Sequence, residues 1–563
     1  MTQKTRPASI GAVAAISLLG WTAALADRPQ VRITRVERTP NSPQPFHVRN
    51  WRAVARGFDR LAFDLKATGQ HLPLVWLVRG KDGEAVTFGL PSYVGDYRKG
   101  ARGLRHHEAV TCIGAVLGAT VAGIDKSRGP HNWVRMCEAY YDRNGDGVIT
   151  NRTYARSGGS FWYDLFPNIA YFALADRYPN TGAARQIVRR SADRWHAACR
   201  AMTGPDGKCD VNHTAFSFRT MKPVDNGRWT EPDAAAGLAW LQYMAHARRG
   251  DPKHLAAARA CLDFLQARKT NPYYEVLLPF GAYTAARMNA ERGGRYDVPK
   301  LVNWCFDRSA VRPDWMVIAE RWAGHDCHGL AGAVNRPPRA AGGGYAFTMN
   351  TFVMAWPLVP MVRYDVRFAR AIGKWMLNAA NAARLLYPGA HPAGRQSCPG
   401  WKGDPDNVVA YEGLLHKWRR GEHLYAAGDP VEHKWGPKTD LGVYGSAYAG
   451  IFGGIVSRTD DDEILQLDLL ATDFYRDKAF PTHLYFNPHK TPVTIRVDVG
   501  PARRDLYDCV TGRFIARNAA GVTGLTIRPD GVVVCVRVPA GGRISRRAGK
   551  LLVDGVVVDH CAR

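Results

Sequence analysis

Apolar positions recur at helical spacing along most of the chain, in stretches that alternate between nearly continuous and amphipathic. Ser157–Pro179, SGGSFWYDLFPNIAYFALADRYP, shows the pattern best. A Gly-Gly turn leads into Phe161, Trp162, Tyr163 and Asp164. Leu165, Ile169, Phe172 and Ala173 then share a helical face, and Tyr178-Pro179 stops the run. Taken alone, Asp164 reads as an acid complementing the helix dipole beside buried aromatics. The recurrence of the pattern changes that reading. Helices are predicted over Trp51–Lys66, Leu104–Ile124, Trp133–Tyr141, Phe161–Tyr178, Ala183–Ala201, Glu231–Arg249, Pro252–Lys269, Tyr273–Arg292, Val298–Phe306, Tyr345–Tyr364, Val366–Leu386 and Gly442–Val456.

The connections between these helices set the architecture. Those ending at Trp133, Ala183, Pro252, Val298 and Val366 have hairpin length, whereas Ala67–Gly103, Asp142–Ser160, Met202–Thr230, Asp307–Gly344 and Tyr387–Leu441 are long. Short–long alternation gathers the long loops on one face of a ring of paired helices. The more apolar, Gly/Ala-rich helices then form the inner ring. The predicted fold is mainly α with an appended β domain: an (α/α)6 toroid, six hairpins around a hollow, followed by a β-sandwich. The short Thr270–Pro272 connection departs from the alternation.

From Asp462 the pattern becomes one of strands: Ile464–Leu470, His483–Phe486, Val493–Val499, Asp505–Cys509, Leu525–Ile527, Val532–Val538 and Lys550–Val558. At the other end, Arg28–Thr39 alternates like an isolated strand and Pro40–Pro45 reads as a linker. The expected organisation is a leader at 1–26, a strand and linker at 27–47, the toroid at 48–460 and the sandwich at 461–563.

On GGSFWYDLFPNIAYFALADRYP, YYEVLLPFGAYTAARMNAE, DVRFARAIGKWMLNAANAARLLYP, VYGSAYAGIFGGIV and YFNPH, the chain resembles secreted bacterial six-hairpin glycosidase-like proteins. The resemblance spans nearly the whole chain after the leader. It implies a toroid with a C-terminal sandwich and carbohydrate processing, by hydrolysis or by elimination, and fixes neither substrate nor catalytic positions.

Composition adds three points. Lys4 and Arg6, the apolar run Ile10–Trp21 and Ala24-Leu25-Ala26 form an export signal, so a soluble secreted or periplasmic protein starting near Asp27 is expected, with no membrane span. The net charge of +26 suits acidic partners, uronate-rich or sulfated glycans among them, but the basic residues are dispersed and mostly Arg, which does not favour nucleic acid. Of the eleven cysteines, Cys199–Cys209 and Cys509–Cys535 are the expected disulfide pairs. Oligomeric state is not readable.

The starts of the six inner helices carry Glu108, Asp164, Glu231 with Asp233, Tyr274 with Glu275, Asn350 and Tyr444. Two convergent carboxylates would support glycoside cleavage. The expected catalytic set is Asp164, Glu231, Glu275 and Asp326, with Trp162, Tyr163, Tyr274, His325, Asn350 and Tyr444 binding substrate. Because a helix N-terminus favours an ionised acid, Asp164 or Glu231 is assigned as base or nucleophile, and Asp326 or Glu275 as proton donor. Thr230 with Asp233 reads as a capped start, and Asn271-Pro272 as another. Glu412, in Ala410-Tyr411-Glu412-Gly413, resembles Asp326 in setting, each by default on a surface loop.

Asp142-Arg143-Asn144-Gly145-Asp146-Gly147-Val148 matches the first positions of a calcium loop, with Asp142, Asn144, Asp146 and the Val148 carbonyl as ligands for a structural Ca2+. Thr153 replaces the usual bidentate Glu, and an Asx-turn loop would give the same sequence. His106-His107 and His325/His328 lack zinc spacing, and Gly342–Gly344 lacks the Lys-Ser/Thr of a phosphate loop.

The leading functional expectation is a glycoside hydrolase using paired carboxylates. A polysaccharide lyase is the runner-up, with Tyr274, Tyr444, His213, His325, Asn350 and Arg219 as its players. A non-catalytic glycan binder is the third.

Overall fold

The computed structural model describes residues 27–96, 107–152, 156–312, 314–333, 344–417, 423–430, 434 and 437–562. The expected leader, Leu104–His106, Thr153 and Gly342-Gly343 lie outside these residues.

Among the described residues, twelve helices of the ring, several extended by 3-10 turns, pair into six hairpins: α1 (Trp51–Ala62), α2 (Ala109–Val121), α3 (Trp133–Met136), α4 (Phe161–Arg177), α5 (Ala184–Ala201), α6 (Ala234–Arg249), α7 (Pro252–Ala267), α8 (Leu278–Arg292), α9 (Val298–Phe306), α10 (Thr348–Met361), α11 (Ala369–Ala382) and α12 (Val443–Ser446), the last continued by Ala449–Ile455, which packs back on α1. The even-numbered helices each pack on the next, α2 on α4, α6, α8, α10 and α12, and the last returns to α2. The ring is closed. Its inner helices are buried over almost their whole length, which requires an apolar surface on all sides. Closure needs glycine: a Cβ at Gly450 would lie 2.1 Å from the Gly118 carbonyl oxygen, so the first and last inner helices meet backbone to backbone.

The N-terminal segment departs from its expected strand. Thr34–Glu37 is one helical turn, with Ile33 and Val36 buried against α9 and α11. With no strand alongside, its backbone is satisfied locally, as in the bond from the Glu37 amide to the Ile33 carbonyl.

Two helix starts also move. Asp233 precedes α6 without capping it, and Asn271 lies in an extended segment seven residues before α8, holding the carbonyls of Trp304, Asp307 and Arg308. Five short strands from the long loops, Trp315–Val317, Ala331–Ala333, Tyr345–Phe347, Gly413–Leu415 and Tyr425–Ala427, form an antiparallel sheet beside the start of α10. Three-residue apolar runs carry no period, so residue spacing does not announce this sheet.

The C-terminal domain has a six-stranded sheet with Thr482–Phe486 and Val532–Pro539 at its centre, faced by the ribbon Val493–Asp498/Val522–Ile527, with a three-stranded sheet closing the chain. Alternation divides the central strands. Leu484, Phe486, Val534 and Val536 join the toroid core, while Tyr485, Val533 and Cys535 face the ribbon. Cys509 belongs to the first face and Cys535 to the second, so the expected Cys509–Cys535 bond does not match the sheet.

The loop Thr472–Tyr475 plugs the C-terminal end of the ring. The buried Arg287 guanidinium donates to the Phe474 and Tyr475 carbonyls, and Asp473 accepts from Tyr283 (2.6 Å), Tyr364 and Arg363. The hollow is therefore sealed at that end, and the N-termini of the inner helices are left facing the loop side.

Asp142 turns its carboxylate onto the Asp146 amide (2.7 Å), Asp146 accepts from the Ser157 amide, and the Val148 carbonyl accepts from the Asp142 amide. The Arg194 guanidinium donates to the Asp146 carbonyl. These bonds make the Asx-turn loop that the same sequence allows, with the Arg194 guanidinium packed against it. EDTA is expected to leave the melting temperature within about 1 °C, whereas a fall of about 5 °C or more would reveal a stabilising divalent ion.

Candidate active site

The inner-helix starts and the loops above them assemble a continuous circle of polar and aromatic side chains. At α2, Glu108 accepts from Ser92 (2.7 Å), Asn151 and Arg152 (3.2 Å). At α4, Trp162 and Tyr163 stand with ring centroids 3.8 Å apart. At α6, Glu231 accepts from Ser160 Oγ (2.6 Å), the Trp162 amide (2.9 Å) and Trp229 Nε1 (3.0 Å). Asp233 reaches the next hairpin and accepts from the Tyr274 amide. Glu275 is paired with Arg312 and held by Asn350, which donates to its carboxylate at 3.0 Å.

The circle closes on Glu412. Its Oε1 accepts from Tyr93 (2.8 Å) and Tyr444 (2.7 Å), and its Oε2 from Tyr345 (3.0 Å) and the Asp429 amide (2.6 Å). The neighbouring backbone explains the placement. The Glu412 carbonyl accepts from the Thr348 amide at the first turn of α10, and the Glu412 amide donates to the Asp440 carbonyl. A Cβ at Gly413 would lie 2.1 Å from the Ala346 carbonyl oxygen and 2.9 Å from the Tyr345 ring, so glycine there lets Tyr345 reach Glu412. Burial pushes the Glu412 carboxyl up to about 7, with the Asp429 charge adding to the rise and the tyrosine bonds moderating it.

Tyr163 connects the two sides. It is 39% exposed, yet its phenol is raised by burial among protein groups and by the charges of Glu108 and Glu412. Part of its ring is thus open to solvent beside Glu108 and Glu412. Trp229, 38% exposed, adds a second open aromatic face. Such faces cover the apolar sides of sugar rings.

The expected site residues divide accordingly. Trp162, Tyr163, Glu231, Tyr274, Glu275, Asn350 and Tyr444 lie on the circle. Asp164 is turned under the 157–159 loop, accepting from the Gly158 amide at 2.9 Å. Burial raises Asp164 well above the usual carboxylate range and raises Glu231 as well, the reverse of the dipole-based assignment. The reason is one of size: a helix end is worth roughly 0.3–1 kcal/mol, whereas full burial moves a carboxyl by as much as 3–5 pKa units. Glu231, fully buried behind Trp229 and Trp162, positions that aromatic wall.

Asp326 and His325 stand apart, in the hairpin Arg321–Trp322/His325–Asp326. There Asp326 bonds to His328 and the Gln44 amide. Burial acts to raise it, but those hydrogen bonds prevail and hold it below the usual range, contrary to the proton-donor role. Glu412 is instead the loop carboxyl that joins the circle, and its partners Tyr93 and Tyr345, 319 and 67 residues away, had no signature in the sequence.

No protein-family model matches the chain, and no curated protein matches it. Among solved structures, it is similar to a GH127 beta-L-arabinofuranosidase from Geobacillus stearothermophilus T6, at 10% identity over 91% of this chain and 85% of that one, with a TM-score of 0.37. It is similar also to an unsaturated glucuronyl hydrolase specific for heparin, at 11% identity over 72% of this chain and 96% of that one, TM-score 0.34. A further glycoside hydrolase aligns at 10% identity over 87% and 82% of the two chains, TM-score 0.35.

Proposed function

We propose that the protein is a glycoside hydrolase whose substrate enters the hollow at the N-terminal end of the inner helices. The observation that carries this reading is Glu412, a buried carboxyl with a pKa of about 7 held between three phenols, on the same hollow as the open faces of Tyr163 and Trp229. A carboxyl in that range is protonated at mildly acidic pH and suits proton donation to a leaving glycosidic oxygen. Glu108, ion-paired with Arg152 and felt with Glu412 by the Tyr163 phenol, is the partner carboxylate that activates water or attacks the anomeric carbon. Tyr163 and Trp229 supply the sugar platform, and Glu231 holds the latter in place.

Elimination from a uronate needs a base, and the phenols of Tyr163, Tyr274 and Tyr444 are all raised by burial, which opposes that role. The test is a panel of neutral and acidic plant, algal and host glycans with products detected by mass. Saturated fragments support hydrolysis, fragments absorbing near the ultraviolet edge indicate a lyase, and binding without fragments indicates a non-catalytic receptor.

A further inference from the structure

Away from the hollow, three thiols share one buried site on the outer shell. Cys199 lies on α5, Cys261 on α7, and Cys209 in the tight turn that follows α5, where the Gly204 amide bonds to the Lys208 carbonyl and the Asp210 amide to the Met202 carbonyl. Cys199 and Cys261 sulfurs are 3.8 Å apart, and the Cys209 thiol approaches the Cys199 carbonyl at 3.7 Å. All three are at most 4% exposed, and α5 packs directly on α7. The expectation from sequence spacing was a Cys199–Cys209 bond; the geometry instead brings Cys261 into contact with Cys199.

We propose that this cluster is an oxidation site in which Cys199 and Cys261, the pair whose sulfurs already touch, form one disulfide by exchange with an external disulfide. One of the two thiols loses its proton and attacks the external disulfide, releasing one thiolate and leaving a mixed disulfide. The other loses its proton and attacks the protein sulfur of that bond, releasing the second external thiolate. In sum, two protein thiols are oxidised, one external disulfide is reduced to two thiols, and Cys209 stays reduced. The bond ties two neighbouring outer hairpins and closes a loop of roughly 60 residues in the unfolded chain, so the oxidised form should melt higher.

The test uses the full chain equilibrated with oxidised and reduced glutathione, acid-quenched, alkylated and digested with trypsin. The three cysteines fall on separate peptides, 195–200, 209–219 and 260–268. The expected result is peptides 195–200 and 260–268 linked and Cys209 alkylated, with Cys209→Ser leaving the linked pair unchanged. Three alkylated cysteines at every glutathione ratio, or a dominant Cys199–Cys209 link, would overturn the proposal. Because the wild-type map alone decides between these outcomes, the test stands even if the variant folds poorly.

Discussion

Glu412→Gln is expected to lower turnover by roughly 10²–10⁴-fold, the range lost when a positioned general acid is removed. Glutamine keeps the shape, and its one carbonyl oxygen can still accept from Tyr93 and Tyr444. Its amide nitrogen takes the place of the oxygen that accepts from Tyr345 and the Asp429 amide, so the Tyr345 hydroxyl must turn to accept and the Asp429 amide loses its partner. Wild-type activity should fall as pH rises through about 7, as the donor loses its proton. Stability gives an independent control. The carboxyl is raised from 4.5 to about 7 on folding, so its contribution is fully present below pH 4.5 and is lost as pH rises through 7. That loss is worth roughly 3 kcal/mol. The glutamine variant has no such titration. Its melting temperature should therefore lack the decline that wild type shows between pH 5 and pH 8, whatever the cost of the bond lost at the Asp429 amide. Full activity, or a decline over that range as steep as that of wild type, would contradict the role.

Asp473→Ala is expected to destabilise the chain by roughly 3–5 kcal/mol, the cost of leaving a buried charge unpaired. Asp473 is the shared acceptor for Arg363, Tyr283 and Tyr364, and it sits in the loop that Arg287 clamps at the closed end of the ring. Its removal strands Arg363 and loosens the plug between toroid and β domain. For a chain this long the melting temperature should fall by several degrees, with little change in KM because the hollow lies at the opposite end. A variant within about 0.5 kcal/mol of wild type would show that the plug does not hold the ring, since only surface changes are that mild.

The toroid was legible because its signals are local and repeated. Inner helices such as Phe161–Arg177 announce themselves by apolar residues on every side, and connection lengths alone ordered the ring. The sandwich was legible through the alternation of strands such as Val532–Pro539, although Arg513–Ala519 and Ile544–Arg547, largely exposed, lack that pattern and were missed. The site was half legible. Helix starts put Tyr163, Glu231, Glu275, Asn350 and Tyr444 on the hollow, since a closed ring must bring them together. What escaped was whatever depended on loops crossing it. Glu412 is set by a strand too short to carry a period, and Asp326 is buried by the segment around Gln44, far away in sequence. Burial, invisible to residue spacing, raises the Asp164 carboxyl against the direction expected from the helix dipole.

Product analysis in oxygen-18 water separates hydrolysis from elimination, because hydrolysis must place one solvent oxygen on one of the two fragments from every bond cut. One label per cleavage is expected with wild type, and almost no cleavage with Glu412→Gln. Unlabelled, unsaturated fragments, or labelled cleavage undiminished by that substitution, would contradict this expectation.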